Sequence, residues 1–271
     1  MNQAPTPIGM VDHLDPTPRK NSLFEQAILE FILRSGPPDA ALMARVTDPV
    51  TRSAYTEAEV EQRARDWPFL GLYRGENEAV RKEGRPKVVF IGDSITEIWR
   101  YADPAFFSNG IVGRGISGQT TPQTLIRFYP DVVALKPKAV HILCGGNDIA
   151  GNTGATTAQD YKNNILAMLD IAQLNGIRVL LGSITPAAGF SHSPQVRPIA
   201  RIAELNDWLR HTANERGAIF IDYFSALAAE DRSLPPQYTN DGLNPNKAGY
   251  DVMQPLALAA MADLRDVRGA V

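Results

Sequence analysis

The stretch from Lys87 to Glu97 limits what this chain can fold into more than any other. Val88, Val89, Phe90 and Ile91 run without interruption into Gly92-Asp93-Ser94, and a new element starts directly after Ser94. A short apolar run of this kind, rich in β-branched residues and closed by a turn, predicts a strand buried on both faces, as in a parallel sheet. Ser94 then falls at the carboxyl end of the strand, the edge where open α/β sheets hold their ligands. Ser94 and Glu97 also have the S-x-x-E spacing of a capping box. The serine therefore has two readings, a helix cap or a hydroxyl presented to a crevice.

The pattern repeats downstream. Apolar runs at 88–92, 111–114, 139–144, 177–182 and 218–222 alternate with helical stretches near 122–135, 158–174 and 199–216. A last helix is expected over about 246–265, kinked or split at Pro255. Strands alternating with helices of this length imply an α/β fold of three layers, a parallel sheet of about five strands between helices. Residues 21–85 read as helical. A capping box at Ser22 and Glu25 opens an amphipathic run that Gly36-Pro37-Pro38 ends, a weak helix spans Asp39 to Arg45, and Thr56 to Glu59 opens a charged helix reaching Trp67. Residues 1–20, with four prolines, form a loose arm. The expected organisation is an arm and helical extension over 1–85, packed on an α/β domain over 86–271. The amphipathic first helix offers a surface for the core or for a homo-oligomer.

Composition removes several classes of function. A net charge of -3 over 271 residues gives no basic field for nucleic acid or an anionic membrane. Cys144 is the single cysteine, so neither an intrachain disulfide nor a thiolate metal cage can form, and its apolar setting predicts a packed thiol. There is no H-E-x-x-H or comparable metal spacing and no G-x-x-x-x-G-K-[ST] loop, so neither a metal nor a cofactor is expected. No apolar stretch approaches the ~18 residues of a membrane span. Residues 1–20 lack the apolar centre of a signal peptide, so the expected location is the cytoplasm, with a secreted mature form as the alternative.

In a parallel sheet the loops after the strands gather on one edge. Those loops carry Gly92-Asp93-Ser94, then Gly113-Arg114-Gly115-Ile116-Ser117-Gly118, then Gly145-Gly146-Asn147-Asp148, then Ser183-Ile184-Thr185-Pro186. Asp241-Gly242-Leu243-Asn244-Pro245-Asn246 stands before the last helix. A hydroxyl, glycine amides, a side-chain amide and a carboxylate thus converge, which are the parts acyl transfer needs. The second loop also matches G-x-G-x-x-G, but the next strand ends in Cys144-Gly145-Gly146-Asn147, without the acidic residue a dinucleotide site requires.

Together these blocks resemble the SGNH (GDSL-type) hydrolase family, over roughly residues 86–262. The resemblance implies a flavodoxin-like α/β/α fold and a serine esterase acting on a small acyl ester, of a carbohydrate or a lipid. It puts Ser94 in the nucleophile position. Gly118, Asn147 and the Ser94 amide become oxyanion donors, and Asp241 orients the residue at 244. Two positions depart from the family pattern. Asn244 stands where the catalytic histidine belongs, and Gly113 replaces an asparagine often found five residues before the second-block glycine. An amide can accept a hydrogen bond from Ser94 but takes up no proton near neutral pH. The expectation is therefore an esterase of low turnover, with a non-catalytic binder on the same scaffold as the competing reading and a dinucleotide module behind it.

Substitute bases are few. His141 is expected inside a strand, His211 on a helix and His13 in the arm, while His192 sits in a loop opening on the active edge. Asp241 is the other candidate, a weak base for a serine alcohol. Asp93 and Trp99, close to Ser94, are candidate pocket residues along with His192. Trp67 and Trp208 are expected to pack, and Asp222 to cap a turn or helix near Tyr223.

Overall fold

Every apolar run of the α/β region is a strand in the computed structural model, which describes residues 22–191, 193–262 and 264. The predicted arm, with His13, and the loop residue His192 lie outside the described residues. β1 (Val88–Gly92), β2 (Ile111–Gly115), β3 (Ala139–Leu143), β4 (Arg178–Gly182) and β5 (Ile219–Ile221) form one sheet in the order β2-β1-β3-β4-β5. All four pairings are parallel. This is the doubly wound, flavodoxin-like order, whose chain reverses its winding between β1 and β3. Gly92 is level with Gly115 on one side and Leu143 on the other, so the loops after β1, β2 and β3 leave the sheet at one height.

The strand pleat divides the apolar residues between two cores. Val89, Ile91, Val140 and Ile142 face one layer, built from α6 (Thr121–Asp131), α8 (Ala158–Leu174) and α9 (Ile199–Arg216). Val88, Phe90 and Leu180 face the other, built from α5 (Ser94–Ala102), α10 (Tyr223–Leu227) and α11 (Lys247–Ala262). Phe90 meets Trp99, Phe106 and Phe107 edge to face. Truncating a ring so buried costs about 3–5 kcal/mol. The short α7 (Gly146–Ala150) begins directly after the β3 turn. Among the described residues no helix is long and apolar enough to cross a membrane.

The N-terminal segment forms α1 (Leu23–Leu33), α2 (Ala40–Val46), α3 (Pro49–Arg65) and α4 (Arg74–Glu83). The Ser22–Glu25 capping box is present. Helix α3 starts seven residues before the expected Thr56, because Asp48 accepts the Thr51 N–H at 3.0 Å and Pro49 occupies the first turn. A short carboxylate followed by proline is a stronger start than the S/T-x-x-E spacing further on. The expected helix over 122–135 ends at Asp131, and a tight turn over Val133–Leu135 follows. Helix α11 runs as one element through Pro255 rather than splitting there.

Polar side chains fasten this segment to the sheet. The Asn240 Nδ2 donates to the carbonyls of Phe31 (2.9 Å), Ile32 (3.1 Å) and Arg34 (3.0 Å), satisfying acceptors at the end of α1 that the helix leaves open. From α4, Asn77 donates to Asp131 at 2.7 Å and accepts from Arg114 Nε at 2.7 Å. Gln119 and Gln123 donate to the carbonyls of Pro68 and Trp67.

Candidate active site

Ser94 is the first residue of α5, and the S-x-x-E spacing around it does not form a capping box. Asp93 is the cap, its Oδ1 accepting the Ile95 N–H at 3.1 Å. Glu97 is drawn the other way, to the backbone N–H of Ser117 in the loop after β2. The Ser94 hydroxyl is left half-buried, with no hydrogen bond to any described residue. It lines a crevice with Leu143, Asn147, Ile184, Phe190 and Leu243, at the reversal point between β1 and β3. A backbone N–H in the first helical turn has no intrahelical acceptor, and the helix dipole favours negative charge there.

Two glycines let α5 start so close to the sheet. A Cβ on Gly115 would stand 2.2 Å from the Glu97 backbone nitrogen, and one on Gly92 2.0 Å from the Leu143 carbonyl oxygen. The G-x-G of the second loop is thus spent on packing. Gly113 makes room for the Arg100 side chain, whose Cδ would lie 2.3 Å from its Cβ. Gly118, the remaining glycine of that pattern, has φ of +76°, a backbone that side chains rarely adopt. It has little around it: Arg63 Nη2 lies 3.6 Å and Asn152 Nδ2 3.9 Å from where its Cβ would stand.

The loop after β3 is tied to the loop after β2. Asn147 Nδ2 donates to the Gln119 carbonyl at 3.0 Å, and its Oδ1 accepts from Asn152 Nδ2 at 2.7 Å. Asn152 also donates to the Gly118 carbonyl at 3.3 Å. These bonds set the amide orientation of Asn147, and one N–H of its NH₂ group remains for a ligand. Beneath both loops Arg127, fully buried, pairs with Asp131 at 2.5 Å and donates to Gln119 Oε1, Gly92 O and Arg114 O.

The fifth block is built around Asp241. Its Oδ1 accepts the N–H groups of Leu243 (2.9 Å) and Asn244 (2.7 Å), and its Oδ2 accepts the Asn244 side-chain amide at 2.8 Å. Asn244 is only 7% exposed, and its Oδ1 has no partner among the described residues. A buried acceptor without a donor is costly and rare. No hydrogen bond joins Asn244 to Ser94.

Two carboxyl groups below the loops titrate far from their ordinary range. Burial, with the charge of Asp148 adding to it, pushes Asp93 up to about 7. Burial pushes Asp148 up to about 6, against hydrogen bonds from the Thr121 N–H (3.0 Å) and hydroxyl. Other groups are removed from the chemistry. Cys144 is buried and its thiol is pushed up by that burial. His141 is fully buried, pushed down to about 3, with Nε2 2.9 Å from the Tyr223 hydroxyl. His211 is exposed on α9 beside Glu215. Among the described residues no three His, Cys, Asp or Glu side chains gather as metal ligands.

Trp99 does not line the crevice. It is fully buried on the α11 side of the sheet, stacked on Phe106 and Tyr250. Asp93 does line it, and Asp222 caps α10 through the Ser225 N–H. Arg63, Gln119 and Asn152 were not singled out as site neighbours by spacing; Arg63 comes from the distant α3, and Gln119 and Asn152 act through bonds between the two loops.

A crevice lined by Ser94 and Asn147 at the reversal point of a doubly wound parallel sheet defines a flavodoxin-like α/β/α protein. The chain belongs to the GDSL-like Lipase/Acylhydrolase family, whose sequence profile matches residues 90–252. This makes it an esterase-type hydrolase by resemblance. A solved structure from Bacteroides fragilis, provisionally an acylhydrolase, is 41% identical, covering 74% of this chain and 99% of that one, with a TM-score of 0.71. The acetylxylan esterase of Geobacillus stearothermophilus is 24% identical over 210 residues, 67% of this chain and 93% of that protein. The uncharacterized lipoprotein YqeF of Bacillus subtilis is 33% identical over 79 residues, and that match spans about a third of its length (32%).

Proposed function

We propose that the protein is a serine esterase acting on small acyl esters, with turnover held low by Asn244. Ser94 attacks the acyl carbonyl. The backbone N–H groups of Ser94 and Gly118 and the free N–H of Asn147 receive the oxyanion, helped by the N-terminal end of α5. Asp241 orients the side chain at 244, and there the machinery stops. The buried, unpartnered Asn244 Oδ1, beside the amide that Asp241 holds, is the observation that supports this reading: it is a free acceptor without the basicity to take a proton. The division into a helical extension, 1–85, and an esterase domain, 86–271, belongs to the same reading.

The apolar crevice lining of Leu143, Ile184, Phe190 and Leu243 suits a short acyl chain. The acetylxylan esterase relative favours an acetyl group on a carbohydrate over a lipid ester. Intact-mass analysis after exposure to p-nitrophenyl acetate tests the assignment, because this leaving group departs without protonation. The expected result is an acetyl adduct on Ser94 that persists, since deacylation also lacks its base, and that Ser94→Ala removes. An adduct elsewhere, or none, refutes it. The second reading is a binder on the same scaffold, favoured by the same Asn244. It predicts acyl-ligand binding with no adduct.

A further inference from the structure

Beside the outer edge of β2, between α4 and α5, lies a second cleft of about 320 Å³, within the size range of small-molecule sites. Glu76, Arg100, Phe107, Gly113 and Arg114 line it. Arg114 is 2% exposed. Its Nε donates to Asn77 and its Nη1 to the Gly113 carbonyl (2.7 Å) and to Glu76 (3.3 Å), while its buried Nη2 has no partner among the described residues. Arg100 donates through Nη2 to the same Glu76 oxygen at 3.2 Å, and its buried Nη1 is likewise unpartnered. Both guanidiniums lie over the Tyr73 ring, at 5.7 Å and 4.8 Å from its centre.

Arg114, buried, and Arg100, about a quarter exposed (27%), therefore share the half-exposed carboxylate of Glu76. Of the remaining charged groups on the cleft, Arg85 donates to the Pro137 carbonyl and Glu83 is exposed. Burial pushes the Arg114 guanidinium below its ordinary range. Charges so placed are stable only when paired and hydrogen-bonded. Gly113 is what admits Arg100 here, because a Cβ at that position would stand 2.3 Å from Arg100 Cδ and 2.5 Å from Cγ. The glycine that breaks the family pattern thus brings a second arginine beside the first.

We infer that this cleft binds a phosphoryl group, as free phosphate or as a phosphate monoester, through Arg100 Nη1 and Arg114 Nη2. Glu76 already offers the pair a planar carboxylate and leaves these two nitrogens unmet. A tetrahedral oxyanion presents acceptors in more directions and matches guanidinium donors well. The site is separate from the Ser94 crevice, so the two readings fail independently.

Isothermal titration of inorganic phosphate into the full chain tests it. The expected result is one saturable site, weakened at least tenfold in Arg100→Gln, partly retained in Arg100→Lys, and unchanged in Ser94→Ala. Competition by glycerol 3-phosphate would identify an esterified phosphoryl group as the ligand, and its failure to compete free phosphate. Crystals grown in phosphate provide a check independent of variant folding, with the ion expected between Arg100 and Arg114. No saturable binding, binding unaffected by Arg100→Gln, or binding lost in Ser94→Ala overturns the proposal.

Discussion

In Asn244→His the new imidazole inherits the neighbours of the amide. Asp241 Oδ2, now 2.8 Å from the Asn244 Nδ2, becomes the acceptor for the ring Nδ1–H, and Oδ1 keeps the backbone N–H of residue 244. The Nε2 then occupies the side of the residue where the amide oxygen has no partner. Removing a triad base elsewhere costs about 10⁴–10⁶ in turnover. We expect the substitution to recover at least ~10³ in kcat/KM for p-nitrophenyl acetate, about 4 kcal/mol of transition-state stabilisation. The sign of the pH dependence is also determined. Only neutral imidazole accepts the Ser94 proton, so the rate should rise with pH through the imidazolium pKa. The adjacent Asp241 carboxylate should hold that value above the ordinary ~6.5. Initial rates between pH 5 and 9 (roughly two units either side of that range) measure both effects. Equal rates in the two forms would mean that another group is the base. A gain surviving in the Ser94→Ala, Asn244→His double variant would mean that Ser94 is not the nucleophile.

Asp93→Asn preserves the cap on Ile95 but removes an ionisation that burial raises to about 7. The folded state holds that proton above the unfolded pKa, so its contribution is complete below about pH 4 and is lost as pH rises to about 7. Urea unfolding across this window should show the stability of Asp93→Asn falling less with rising pH than that of the unsubstituted chain. Gly115→Ala drives a Cβ to 2.2 Å from the Glu97 backbone nitrogen and should destabilise by about 3 kcal/mol or more, seen as a drop of several degrees in Tm. Asn240→Ala leaves the last carbonyls of α1 without their donor, a loss of about 1–3 kcal/mol. Faster amide exchange in α1, with the sheet still protected, is the expected signature.

The strands were legible because each is a short apolar run closed by glycine or a polar turn, and burial on both faces leaves such a run no alternative. The loops followed from the strands, which put Ser94 and Asn147 at one edge of the sheet, while the roles proposed for them and for Asn244 come from the family resemblance. Competition between near neighbours was not legible. Asp93 and Ser94 are both good caps, and a spacing rule cannot see that Glu97 finds a better donor in Ser117 across the next loop. Trp99, five residues on from Ser94, lies on another face of α5, against Phe106 rather than the crevice. The buried polar chain from Asn77 through Asp131 and Arg127 to Gln119 joins residues up to 54 positions apart, and no local pattern encodes such pairings.

Asn240 and Asp241 are consecutive, yet one holds the end of the first helix and the other holds Asn244. A single peptide link therefore makes the two attachments mechanically one. Trimming the chain to the segment shared with the family would leave the Asn240 amide facing solvent where three carbonyls had been, and slack introduced there would reach Asp241 within one residue. Anyone transplanting this crevice to another scaffold would have to carry residues 22–34 with it.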